Sequence, residues 1–146
     1  MKIMSKKEIE KLIEMFRTNP DEAILHFVKY LEQRLYAYGE ETIVINSRKK
    51  VLTRILVIKA KKRDEYLRTY TAFSIEFGEI GEGNTLDDAI RDLKKTIHKK
   101  IDILRRKRKM RFLFVDKLTY LEPLYNKCIQ KELLLLKRQK KWKIIN

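Results

Sequence analysis

Between residues 86 and 104 the apolar side chains fall into one helical register. Leu86, Ala89, Ile90, Leu93, Ile97, Ile101 and Leu104 recur at spacings of three and four, which places them along one face of an α-helix. Thr85 precedes this stripe and can cap it, with Asp88 three residues on. Asp87, Asp88 and Asp92 lie early and the bases lie late, which suits the helix macrodipole. A stripe this long needs an apolar surface to lie on. The segment before it supplies one. Leu67, Thr69, Thr71, Phe73, Ile75 and Phe77 alternate with Arg68, Tyr70, Ala72, Ser74 and Glu76, a period of two that marks a half-buried strand. Residues 51–61 predict a partner strand, with Ile55, Leu56, Val57 and Ile58 buried on both faces. A long helix across a small antiparallel sheet follows, and the fold class is α+β.

The flanks are read in the same way. Ser5 and Glu8 have capping-box spacing, and Ile9, Leu12, Ile13 and Phe16 share a face, so residues 6–16 predict a helix. Asn19, Pro20, Asp21 and Glu22 start a second one. Its stripe of Ile24, Phe27, Val28, Leu31, Leu35 and Tyr38 runs to a stop at Gly39, which makes residues 1–40 a helical hairpin. Residues 42–45 predict a short strand. Gly78, Gly81 and Gly83 read as a turn, and residues 111–116 as one more strand. From Leu118 the chain is expected to be helical, restarting near Pro123, with Ile129, Leu133, Leu135 and Leu136 on its apolar face. No repeat and no Pro- or Gly-rich linker divides the 146 residues. One domain is expected, with a hairpin at 1–40, a sheet-plus-helix core at 42–116 and a basic helical extension at 117–146.

One stretch carries a family resemblance. Tyr70, Thr71, Ala72, Phe73, Ser74, Ile75, Glu76 and Phe77, followed by Gly83, Asn84, Thr85, Leu86, Asp87, Asp88, Ala89 and Ile90, resemble the HicB-like fold over roughly residues 53–104. There a β-hairpin leads into a helix that starts with this kind of motif. The resemblance implies a partial ribonuclease-H-like sheet with a helix across one face, and an antitoxin role against an RNA-cleaving toxin. It implies no catalytic residue. The chain departs from the family in two ways. Only residues 78–82 separate Phe77 from Gly83, where the family carries a longer loop. The chain is also basic, where the family's antitoxins are commonly acidic. The fold therefore carries over ahead of the antitoxin role.

Charge is the main functional signal. Lys and Arg number 35 against 20 Asp and Glu, a net charge of +15. Such a field favours polyanions. The charge is also segregated: residues 93–111 hold ten bases and one acid, whereas residues 71–92 hold one base and six acids. Four clusters stand out as candidate nucleic-acid contacts. They are Arg48, Lys49 and Lys50; Lys61, Lys62 and Arg63; Arg105, Arg106, Lys107, Arg108, Lys109 and Arg111; and Lys137, Arg138, Lys140, Lys141 and Lys143 with Trp142, which could stack on a base. Five consecutive bases repel one another unless an anion neutralises them, and phosphates would do so. Adjacent bases alternate faces, so phosphate contact is expected without a base-reading code.

Catalytic signals are weaker. His26 and His98 belong to no ligand cluster, and no metal or cofactor is expected. The Gly78, Gly81, Gly83 spacing is not a phosphate loop, and Glu79 and Glu82 would repel phosphate. A metal-dependent nuclease would need Glu76, Asp88 and Asp92 to converge. Cys128 can form neither an internal disulfide nor a thiolate zinc site, and fits a reducing cytoplasm. No apolar run reaches the ~18 residues of a membrane span, and residues 1–16 lack the apolar region of a signal peptide.

The expectation is a non-enzymatic nucleic-acid-binding protein for RNA or DNA. The alternative is a protein-binding inhibitor, antitoxin-like or directed by a mobile element against host defence, that blocks a nuclease. A homodimer is compatible with either, and a membrane partner with neither.

Overall fold

A computed structural model describes residues 20–60, 69–134 and 142–144. Its centre is set by alternation. Along β1 (Leu35–Asn46), Glu41, Ile43 and Ile45 are buried while Thr42, Val44 and Asn46 face solvent. β1 turns into β2 (Lys49–Lys59) through a tight hairpin in which Asn46 pairs with Lys49. The Arg48 amide donates to the Asn46 side chain at 2.9 Å, the local closure that suits Asn at a turn. β3 (Tyr70–Ser74) and β4 (Ile80–Gly83) continue an antiparallel meander. The sheet order is β4-β3-β2-β1, with a three-residue strand β5 (Trp142–Ile144) at the β1 edge.

Both sheet faces are covered, which is why residues 55–58 are buried without a break. Ile55 and Val57 belong to one core, together with Ala37, Ile43, Ile45, Ala72 and Phe77. Helix α2 (Leu86–Arg106) lies over that face through Ala89, Ile90, Leu93, Ile97 and Ile101. Burying a Leu or Ile of this kind contributes about 1.5–3 kcal/mol. Thr85 caps α2 by accepting the Asp88 amide at 3.1 Å. Gly81 lets β4 lie directly on the helix: a Cβ there would sit 2.3 Å from the Leu93 amide nitrogen and 2.5 Å from the Ala89 carbonyl oxygen. Leu56 and Ile58 belong to the opposite core, with Tyr38, Phe73 and Ile75. That face is covered by Leu31 of α1 (Pro20–Glu32) and by Leu121, Leu124, Tyr125 and Cys128 of α3 (Glu122–Leu134) and the 3-10 turn before it (Thr119–Leu121). Tyr125 donates its hydroxyl to the Gly39 carbonyl at 3.3 Å.

The α+β class, the long capped helix and the β2–β3 pairing are as the sequence predicts. Six details differ. Helix α1 ends at Glu32 instead of Gly39, and Leu35 and Tyr38 lie in β1. Aromatic and β-branched residues follow Arg34, and a full ladder with β2 rewards extension there. The sheet therefore starts at residue 35, and of the expected 1–40 hairpin only α1 falls within the described residues. Ile80–Gly83 is a strand, not part of a turn. Phe77 leaves β3, which ends at Ser74. Residues 111–116 are not a strand; a 3-10 turn (Met110–Phe112) and further turns carry the chain from the α2 face round to α3, anchored by buried Leu113. The α3 face in the core is Leu124, Tyr125 and Cys128, with Ile129 exposed. The basic C-terminal helix is not seen at Trp142–Ile144, which is extended. Residues 6–16 and 137–141 lie outside the described residues.

Candidate nucleic-acid interface

Two of the four basic clusters meet. The Arg105 guanidinium, on the last turn of α2, donates to the Ile45 carbonyl at the end of β1. Val51, Leu104 and Met110 pack on the same core as Ile43, Ile45, Ile101 and Leu113. The β1–β2 hairpin and the C-terminal end of α2 are thus one structural corner. It carries Arg48, Lys49 and Lys50 from the hairpin, and Arg105, Arg106, Lys107, Arg108, Lys109 and Arg111 from the helix end. All nine side chains are exposed. Among the described residues the one carboxylate within ion-pair reach of any of them is Asp102, 3.9 Å from Arg105. Arg106 reaches only the Asp102 backbone carbonyl, at 3.4 Å.

The helix end has a specific geometry. The Lys109 amide donates to the Leu104 carbonyl at 2.8 Å and the Arg108 amide to the Arg105 carbonyl at 3.1 Å. This is the paired closure of a Schellman motif, whose turning residue is usually glycine. Here that residue is Arg108, with φ of 56°. The next turn presents Phe112, 40% exposed, with the Arg111 guanidinium 4.6 Å from its ring centre. Phe112 was not among the residues singled out from sequence. The mixing of Arg111 with Phe112 and Phe114 was the available signal, hidden by the expectation of a strand.

Of the other two basic clusters, only the backbones of Trp142 and Lys143 fall within the described residues. Lys61, Lys62 and Arg63 lie outside the described residues, beyond the end of β2 remote from Lys49 by about 33 Å at the usual strand rise. Lys137, Arg138, Lys140 and Lys141 also lie outside them. The backbones of Trp142 and Lys143 pair with Gly39 and Tyr38, about 20 Å along β1 from Ile45.

The carboxylates sit elsewhere and are engaged one by one. Asp88 pairs with Arg91 at 3.1 Å, and Asp92 accepts the Glu82 amide at 2.9 Å. Glu76 accepts from Arg54 through both its backbone amide (2.5 Å) and its side chain (2.8 Å), and from Thr53 at 3.1 Å. Arg54 also bridges to Glu122 at 3.1 Å. The hydrogen bond from Arg54 holds the Glu122 carboxyl below the usual carboxylate range. Lys100 lies between Glu79 (3.4 Å) and Asp116 (3.3 Å) and donates to the Phe77 carbonyl. Glu76, Asp88 and Asp92 therefore have separate partners. Among the described residues no group of three or more His, Cys, Asp and Glu is placed to hold a metal ion. His26 lies 3.9 Å from Glu22 on an exposed face of α1, and His98 is exposed on α2. Cys128 is buried. No described helix is long and apolar enough to cross a membrane.

Set against protein-family models, curated proteins and solved structures, the chain shows no match.

Proposed function

We propose that the chain is a non-enzymatic nucleic-acid-binding protein that grips phosphates at the corner shared by the β1–β2 hairpin and the C-terminal end of α2. The observation that carries the reading is the charge balance of that corner: nine exposed bases and, among the described residues, a single carboxylate partner. A solvated protein surface normally mixes the signs. Uncompensated cations this close repel one another, and a phosphate backbone relieves that repulsion while its released counterions supply affinity. Phosphate contact alone positions a ligand without reading its sequence. The HicB-like reading of residues 53–104 belongs to the same proposal. Its support is the β2–β3 pairing followed by a Thr85-capped helix across the sheet.

The test is a pair of triple variants. Arg48, Lys49 and Lys50 are changed to Ala in one, and Arg106, Lys107 and Lys109 in the other. Each is expected to weaken binding to a labelled oligonucleotide about tenfold or more and to flatten the log–log salt slope by about two to three. Changing Lys29, Arg91 and Lys127 to Ala removes the same charge from exposed positions elsewhere and is expected to change affinity by less than about threefold. Equal losses in all three variants mean bulk charge and overturn the site. Unchanged oligonucleotide affinity in the first two moves the corner to the inhibitor reading, in which an acidic protein surface covers it.

A further inference from the structure

The corner is more than charge. Immediately after the five bases, the chain makes a tight turn that exposes apolar side chains: Phe112 is 40% exposed, Phe114 38% and Val115 69%. A turn that served only to link α2 to α3 would gain nothing by leaving aromatic rings in water. These rings are also held firmly. Leu113 between them is buried, the Phe112 amide donates to the Lys109 carbonyl at 3.0 Å, and the Leu113 amide donates to the Met110 carbonyl at 3.1 Å. The Phe114 ring rests on buried Phe77, with centroids 5.3 Å apart. Val115 donates its amide to the Phe112 carbonyl, so the turn places it one 3-10 step on from the ring. Arg111 lies over the Phe112 ring, 4.6 Å from its centre.

From this juxtaposition we infer that the ligand is single-stranded nucleic acid, with Phe112 as the platform on which a base stacks while the neighbouring bases hold the phosphates. This deepens the nucleic-acid reading above and rests on it. A duplex keeps its bases stacked inside and offers this surface only phosphates and sugars, against which an aromatic ring gains little. A single strand offers both a backbone and free base faces, the combination that a basic patch with an aromatic ring matches. Arg111 adds to it, because its guanidinium, 4.6 Å from the ring centre, keeps a charge beside the ring where a phosphate would follow the stacked base. A lipid surface fits less well. Membrane-surface binding uses an amphipathic helix with its apolar face free, and the apolar stripe of α2 is already committed to the sheet core. The preformed turn also fixes the backbone that carries the ring before binding, which lowers the ordering cost.

The experiment compares Phe112→Ala, Phe112→Tyr and Phe112→Trp with wild type. The probes are a fluorescein-labelled oligo-deoxythymidine, an oligouridine and a hairpin duplex with the same number of phosphates. Wild type is expected to bind the single strands more tightly than the duplex. Phe112→Ala is expected to lose about tenfold on the single strands, the weight of one stacked base, and less than about twofold on the duplex. Tyr and Trp keep a stacking ring and are expected to retain single-strand binding, which separates lost stacking from lost folding. The inference is overturned if Phe112→Ala binds single strands as wild type does, or loses equally on single strand and duplex. It is also overturned if wild type prefers phosphatidylserine vesicles over the oligonucleotides and that preference depends on Phe112. If the two basic triples lose oligonucleotide affinity while Phe112→Ala does not, phosphate binding stands and the stacking claim falls. If none of them loses affinity, both fall.

Discussion

Arg108 holds a backbone conformation that L side chains rarely adopt, and it does so where glycine would end the helix with least strain. Its φ of 56° follows from the Schellman closure, in which the chain must swing left-handed to let Lys109 and Met110 turn back on α2. A non-glycine residue in that region is strained by about 1–3 kcal/mol. Nothing in the packing compensates, since the side chain is exposed. The arginine at this position therefore costs some stability. Arg108→Gly should accordingly raise the unfolding free energy by about 1 kcal/mol in a urea titration. It should also lower oligonucleotide affinity several-fold through loss of one phosphate contact. A variant that is less stable would show that the left-handed turn carries no strain. The run of five bases was plain in the sequence. That one of them occupies the helix-ending position was not, because the choice between Arg and Gly there is settled by geometry and not by hydropathy.

At the level of elements, the local signals were strong where one physical requirement dominated. The Thr85 cap, the α2 stripe and the two-sided burial of residues 55–58 each have one good solution, and each was readable. Leu35 and Tyr38 had two, because their spacing from Leu31 continues a helical face while their residue types suit the first half of β1. The ladder with β2 decides between them, and its partners lie about twenty residues away in the chain. Ile80–Gly83 was obscured for a different reason: glycines that look like turn residues are there so that β4 can touch α2. Phe112, Phe114 and Val115 look like a strand, yet they lie in a 3-10 turn and the turns after it, where the chain crosses from one face of the sheet to the other. The bridge formed by Arg54, Glu76 and Glu122 ties β2, the turn after β3 and the start of α3 together, and it has a pH signature. In the unfolded chain Glu122 takes up its proton near pH 4.3, at about the ordinary value; the folded protein holds that carboxyl lower. The stability from this difference is complete above the unfolded value and is lost as pH falls through it towards the folded one. Tyr125 behaves in the opposite sense, since burial pushes its phenol up. Its contribution is complete below about pH 10 and declines as pH rises beyond that. Urea midpoints measured across pH should therefore fall at both ends, and Glu122→Gln should flatten the acid limb only. An acid limb identical to wild type would mean that the bridge is not coupled to folding.

For the molecule as a whole, charge and architecture are organised along the same axis. Asp87, Asp88 and Asp92 lie in the first two turns of α2 and Arg105 and Arg106 in its last, so the helix carries part of the segregation seen in the sequence across about 30 Å, while Glu76 and Glu79 pair elsewhere, with Arg54 and Lys100. What the sequence could not show is which clusters become neighbours. Residues 48–50 and 105–111 are far apart in the chain and meet only because β1 and β2 run out to the same corner as α2. The alignment of that corner is expected to depend on a detail at the opposite end of the helix. Gly81 lacks the single carbon that would collide with the backbone at Ala89 and Leu93, about 20 Å from Arg105 by helical rise. Gly81→Ala is expected to destabilise the fold by about 1–3 kcal/mol. It should also weaken oligonucleotide binding although no charge has changed, an effect to be read at a temperature where the variant remains folded. Unaltered affinity in the folded variant would mean that the two halves of the corner act independently. Packed on the sheet from Ala89 to Ile101, the helix is expected to behave as a rigid beam with its fulcrum at Gly81, so that a displacement forced there is carried to its tip. A ligand that clamps hairpin and tip together would, by the same linkage, press the beam onto its fulcrum. Amide-exchange protection at β4 should then report occupancy of a surface it never touches.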